Sequence, residues 1–131
     1  MCAFKKVYTA DPGLFVNIQR LDVTKIETYG LWGILAELSV FLHLKNYTNG
    51  RIYYYRERDK EVDFVIDSTP LLIPIEVKYL TETIFKWGKR GIPGIFYFMD
   101  RFQTKRTLVI SRDHLQLDDQ IMFVPLRLFL S

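Results

Sequence analysis

A chain of 131 residues with 49% hydrophobic and 25% charged side chains can bury a real core and is too apolar for intrinsic disorder. Its 18 basic and 15 acidic residues leave a formal charge of +3, which suits nucleic acid without requiring it. The single cysteine, Cys2, excludes a disulfide framework, and no apolar run reaches the roughly 18 residues of a spanning helix, so a soluble, cytoplasmic protein away from membranes is expected.

Taken in order, Lys5-Lys6-Val7-Tyr8 reads as a short edge strand stopped by the turn signal Asp11-Pro12-Gly13. Leu14 to Leu21 suits a short helix or coil. Thr24 with Glu27 three residues on has the pattern of a capping box. It introduces one long helix from about Glu27 to Lys45, ending before Asn46 and Asn49-Gly50. Helical spacing places Gly30, Gly33, Ile34, Glu37, Val40, Phe41 and Leu44 on one stripe. The opposite side, with Leu35, Leu38 and Leu42, is apolar too, so the helix is expected to be covered on both sides. Glu37 stands in the middle of the stripe. An unpaired buried charge costs roughly several kcal/mol, so this carboxylate needs a partner, in the plainest reading a Lys or Arg or a proton.

Arg51-Ile52-Tyr53-Tyr54-Tyr55-Arg56 has strand composition, and Arg58-Asp59-Lys60 turns the chain out of it. Two further strands follow. In the first, Glu61 to Asp67, alternation would put Val62, Phe64 and Ile66 on one side and Glu61 and Asp63 on the other. In the second, Ile73 to Tyr79, the same rule sets Ile75, Val77 and Tyr79 opposite Glu76 and Lys78. The linker Asp67-Ser68-Thr69-Pro70 carries turn chemistry, so the two strands are expected to pair as a hairpin. Asp63, Glu76 and Lys78 would then share one surface.

Beyond the hairpin, Thr81 or Thr83 can cap a segment bearing Lys86, Lys89 and Arg90, interrupted by Gly88 and Gly91. A second helix is predicted from Pro93 to Phe102, with proline in its first turn. Thr107-Leu108-Val109-Ile110-Ser111 is a continuous apolar run fit for a strand buried on both faces. Ile121-Met122-Phe123-Val124 makes a last strand, closed by Pro125 and followed by an apolar tail to Leu130. Without repeats or linkers, the order helix, three strands, helix, strand, strand predicts a single α/β domain around a mixed sheet.

Phosphodiester hydrolysis needs stabilised negative charge and a deprotonated water, and divalent metal held by hard oxygen ligands supplies both. Two or three carboxylates on rigid strands suit such a metal, and an adjacent lysine can orient the water. His43 and His114 lack the spacing of a paired metal site, and Ser39 and Ser111 lack a nucleophile context. Tyr53, Tyr54 and Tyr55 could stack on bases, although aromatic strands more often pack.

The order Asp63, then Glu76-Val77-Lys78, with Glu37 on a preceding helix, resembles the PD-(D/E)xK nuclease superfamily, the restriction-endonuclease-like fold. Val62 stands where that family's eponymous proline would be. The resemblance implies Glu37, Asp63 and Glu76 as ligands of Mg²⁺ or Mn²⁺, and Lys78 as the residue that assists attack on phosphate. It implies DNA as substrate, and Lys86, Lys89 and Arg90 could meet its phosphates beside the cleft. A narrower resemblance runs along most of the chain, through Lys6-Val7-Tyr8, Asp11-Pro12-Gly13-Leu14, Tyr54-Tyr55-Arg56, Glu61-Val62-Asp63-Phe64, Ile75-Glu76-Val77-Lys78 and Val124-Pro125-Leu126. It is similar to the nuclease-like C-terminal domain of prokaryotic AAA-type ATPases. No Gly-x-x-x-x-Gly-Lys-Ser/Thr occurs in these residues, so the expectation is either a fragment of such an ATPase or a domain that stands alone. Two functions follow: a Mg-dependent nuclease, on DNA or secondarily RNA, and a catalytically silent module that binds DNA or a protein partner. A homodimer would place two sites on the two strands of a duplex.

Overall fold

The computed structural model describes residue 13 and residues 16–17, 19–28, 30–49, 51–79 and 91–131. The expected strand at Lys5–Tyr8, the turn at Asp11-Pro12, the caps at Thr81 or Thr83, and Lys86, Lys89 and Arg90 lie outside the described residues.

The single helix expected from Glu27 is two helices, α1 (Val23–Thr28) and α2 (Trp32–Tyr47). Gly30 separates them, with φ at +64°. Its N–H donates to the Glu27 carbonyl at 3.1 Å and that of Leu31 to the Ile26 carbonyl at 2.9 Å, the pair of bonds that closes a helix through a left-handed glycine. The start also differs from expectation. Thr24 lies inside the first turn, and Asp22 is the cap, its Oδ1 accepting the Lys25 N–H at 2.8 Å. At the far end of α2, the N–H and Oγ1 of Thr48 both donate to the Leu44 carbonyl. Val40 and Leu44 of the predicted stripe are buried, whereas Ile34 is half exposed. Leu38, from the opposite side, is buried as well.

β1 (Arg51–Glu57), β2 (Lys60–Ser68) and β3 (Leu71–Lys78) form an antiparallel meander. Arg58 takes a positive φ in the first turn, and Thr69-Pro70 spans the second, closed by Ser68 opposite Leu71. α3 (Pro93–Phe102) occupies the predicted residues and stops at Gln103, which adopts the left-handed conformation. β4 (Thr107–Ser111), β5 (Gln116–Asp118), β6 (Ile121–Pro125) and the short α4 (Leu126–Phe129) complete the described chain. β5 was not anticipated, because three exposed residues of mixed character carry no periodic signal.

The result is an α/β fold with a six-stranded mixed sheet in the order β1-β2-β3-β4-β6-β5. β4 lies parallel to β3 on one side and to β6 on the other, and α3 makes the crossover between β3 and β4. Cores lie on both faces. On one, α3 contributes Ile95 and Phe98 to a cluster with Tyr55, Val62, Val65, Val109 and Phe123. On the other, Val40 and Leu44 of α2 meet Phe64, Ile66, Ile75 and Ile110. Val109 and Ile110 are both fully buried, one in each cluster, so β4 is covered on both faces as its unbroken apolar run predicts.

Tyr55 belongs to this core and not to a base-stacking surface. Its ring lies edge-on to Phe98 at 4.9 Å, and its hydroxyl donates to Glu57 at 2.7 Å. Burial, followed by that carboxylate neighbour, raises its phenol pKa to about 12. Gly94 brings α3 close to β2. A Cβ there would stand 1.9 Å from the Glu61 carbonyl oxygen, so the first turn of α3 rests on the β2 backbone two residues before Asp63.

Candidate active site

The hairpin places its acids by register. Pairing between β2 and β3 runs from Ser68 opposite Leu71 to Phe64 opposite Ile75. One step further, Asp63 falls opposite Glu76. There the side chains replace the ladder: the Asp63 N–H donates to Glu76 Oε2 at 3.4 Å, and the Val77 N–H donates to Asp63 Oδ2 at 2.8 Å. Each carboxylate therefore ties down the other strand where the backbone bonds give out, which fixes both side chains to rigid elements.

A slip in the β1–β2 register lies at the same point. Tyr53 pairs with Val65 and Tyr55 with Val62, so β1 supplies one residue, Tyr54, where β2 supplies two, Asp63 and Phe64. Such an extra residue bends a strand and re-aims its side chains. It also corrects the simple alternation expected along β2. Val62 shares the α3-side cluster with Val65, while Phe64 and Ile66 face α2. Glu61, expected beside Asp63, is instead tied by the Tyr54 hydroxyl at 2.5 Å.

Asp63 and Glu76 are 8% and 7% exposed. The Lys78 Nζ lies 3.3 Å from Glu76 Oε1, with its side chain about one-third exposed at 35%. Burial pushes the Glu76 carboxyl up to about 8, and the neighbouring Asp63 charge adds to the shift. The Lys78 ammonium and the Asp63 N–H oppose it without cancelling it. Two acids thus face each other in low dielectric, with the Lys78 ammonium against Glu76.

Glu37 is carried by α2, whose Val40 and Leu44 cover the Phe64, Ile75 and Ile110 face of the sheet. Ile73 and Val77 pack toward α2, and the Tyr79 ring lies 6.3 Å from that of Trp32 at the start of α2. Leu72 packs toward α3. Alternation along β3 therefore turns Glu76 and Lys78 to the α3 side, while Glu37 rides on α2 over the other face. Among the described residues no group of three or more His, Cys, Asp or Glu is placed to hold a metal ion. The helical stripe identified an unusual carboxylate, but it carries no information about which sheet face the helix covers.

Residues 32–129 match a family model described as a domain of unknown function, DUF4143. The chain belongs to that family. No curated protein and no solved structure matches the chain. The DUF4143 match opens on Trp32, the first residue of α2, and closes on Phe129, the last of α4. It therefore takes in the whole sheet, Glu37 and the Asp63, Glu76 and Lys78 group, and leaves α1 outside. No described helix is long and apolar enough to cross a membrane.

The other sequence candidates in this DUF4143 chain have local explanations. His43 packs between the rings of Tyr47 and Phe129, at 4.6 and 5.0 Å. The His114 Nε2 meets Gln116 Oε1 at 2.7 Å. Ser111 Oγ is fully buried, donates to the His114 carbonyl and accepts the His114 N–H, which shapes the loop after β4. What sequence reading missed is the backbone share of the site, the Asp63 and Val77 N–H groups. Its only trace in the sequence is that both acids sit inside apolar strands.

Proposed function

We propose that this chain is a metal-dependent phosphodiesterase acting on DNA, with Asp63 and Glu76 holding Mg²⁺ or Mn²⁺ and Lys78 orienting the attacking water. The observation that carries this reading is the buried carboxylate pair on adjoining strands with a lysine 3.3 Å from one member. The donor set fits the ion. Mg²⁺ commonly takes one or two carboxylates and completes its shell with waters and substrate phosphate, so two acids suffice without Glu37. When bound, the ion would polarise the phosphate and lower the pKa of a water. The protein's own part is positional. The Val77 and Asp63 N–H groups hold the carboxylates in place, and burial makes both of them poor hosts for an unneutralised second charge. Lys78 keeps one side toward solvent and can donate to a phosphate oxygen or to water. The resemblance to PD-(D/E)xK nucleases supports the same roles for these three residues, and that to ATPase-borne domains supports an ATPase as a partner.

The test is cleavage of a DNA duplex by the purified protein with Mg²⁺ or Mn²⁺. Asp63→Asn, Glu76→Gln and Lys78→Ala should each reduce the rate by roughly 10²–10⁴-fold. Activity that persists in all three variants would sink the proposal. A second reading, a silent module of the same fold that binds DNA or a partner, is favoured by the lack, among the described residues, of a group of three or more His, Cys, Asp or Glu able to hold a metal ion. It expects no heat of Mg²⁺ binding in calorimetry, together with unchanged partner binding in Asp63→Asn.

A further inference from the structure

The carboxyl ends of the parallel strands carry cations that the proposed chemistry does not use. Lys78 pairs with Ser111, and Ser111 with Pro125, so the ends of β3, β4 and β6 stand in a row. Arg112 follows directly after β4. Arg127 comes two residues after Pro125, in α4, where Leu126 and Phe129 turn inward to the core and Arg127 is exposed. Arg112 is exposed too, and its partner is its own neighbour Asp113 at 3.6 Å. A surface pair of that kind contributes little and gives way readily to a phosphate. Neighbouring strands lie about 4.8 Å apart, so β3 to β6 spans about 10 Å, the axial rise of roughly three nucleotides of one DNA strand. Arginine offers a planar donor fork that matches phosphate.

We infer that Arg112 and Arg127 form, with Lys78, a track for the DNA backbone across the carboxyl ends of β3, β4 and β6. The inference rests on the proposed DNA-directed reading and extends it by naming the surface that seats the strand. Backbone contacts of this kind set the register of the substrate and carry no sequence preference. The same strand supplies its own control. Lys105 and Arg106 precede β4, so Arg106 lies about 20 Å from Arg112 at the opposite end of the sheet.

The experiment is fluorescence anisotropy of a short DNA duplex over a salt series, in EDTA to prevent cleavage. Arg112→Ala and Arg127→Ala should each weaken binding and lower the slope of log affinity against log salt by about 0.9, the value for one lost phosphate contact. Lys105→Ala and Arg106→Ala, with the same change in net charge, should leave the slope unchanged. Arg112→Lys should keep most of it. Equal losses at both ends of β4 would overturn the track, since they would report only net charge. So would an absence of DNA binding by the unaltered protein. Hydrolysis of bis(4-nitrophenyl) phosphate with Mn²⁺ then tells the two ideas apart. That small diester needs Asp63, Glu76 and Lys78 but no track, so its turnover in Arg112→Ala and Arg127→Ala should match the unaltered protein.

Discussion

Glu76 concentrates the electrostatic tension of the molecule. Its carboxyl is raised from 4.5 to about 8 by burial first and by Asp63 second. Between those values the folded state holds a proton that the unfolded chain has released, so the stabilisation is complete below the unfolded value and is lost as pH rises through the folded one. Metal-free protein should lose stability, by roughly 4–5 kcal/mol as an upper bound, between about pH 5 and about pH 9 through this group. Glu76→Gln should flatten that part of the profile and be the more stable protein at the alkaline end, as read by urea unfolding at several pH values. An identical slope in both proteins would refute the assignment. Lys78→Met, which removes the cation that opposes the shift, should push the Glu76 pKa further upward in a carboxyl NMR titration. At this scale much of the site was legible in sequence. Asp63, Glu76 and Lys78 stand at alternate positions of apolar strands, and strand geometry alone predicts that Glu76 and Lys78 meet. Where Glu37 stands relative to the sheet was not legible, because a helical wheel fixes the apolar side of a helix and not the sheet face beneath it.

Among the elements, strands and helices with strong periodicity fell where pattern put them, and departures occurred where a local bond outcompetes the pattern. The long helix breaks at Gly30 because a left-handed glycine satisfies the end of α1 before α2 begins. Asp22 outdoes Thr24 as the cap, since its oxygen reaches the Lys25 N–H. Asp22→Ala should therefore cost about 1 kcal/mol in thermal unfolding, while Thr24→Ala should cost much less. The reverse order would restore the capping box that the sequence suggests. α3 is held by a steric fact more than by propensity. Gly94→Ala would drive a methyl into the Glu61 carbonyl, and we expect it to destabilise by about 1–3 kcal/mol or more. The same variant should perturb Glu76 in the carboxyl NMR titration, because Glu61 and Asp63 are near neighbours on β2. β5 escaped the sequence reading for the opposite reason, having neither burial nor period.

Over the whole molecule, the sheet is an antiparallel meander joined to a parallel half through β4. β4 is the most enclosed strand and β5 the most exposed. Native-state hydrogen exchange should find the Val109 and Ile110 amides opening only with global unfolding, and those of Gln116 to Asp118 exchanging far faster. Comparable protection in β5 would mean that its edge is covered by another chain. The two halves were unequally legible. Hairpin order follows from turn residues close in sequence, but nothing in the residues announces that β6 inserts between β4 and β5.

That division has a consequence for how the molecule comes into being. The Asp63 and Glu76 carboxylates are joined by a hairpin whose turn is two residues long, so they meet through some of the most local contacts in the sheet. The parallel pairs of β4 must wait for a crossover to close, and closing long loops slows folding. The acids should thus come together early, while water still surrounds them, and lose that water only when α3 settles on β2. In a mutational study of folding rates, hairpin substitutions should slow folding, whereas substitutions in β6 should mainly hasten unfolding. The mutual repulsion of the pair would then act chiefly on the lifetime of the finished protein and little on its birth.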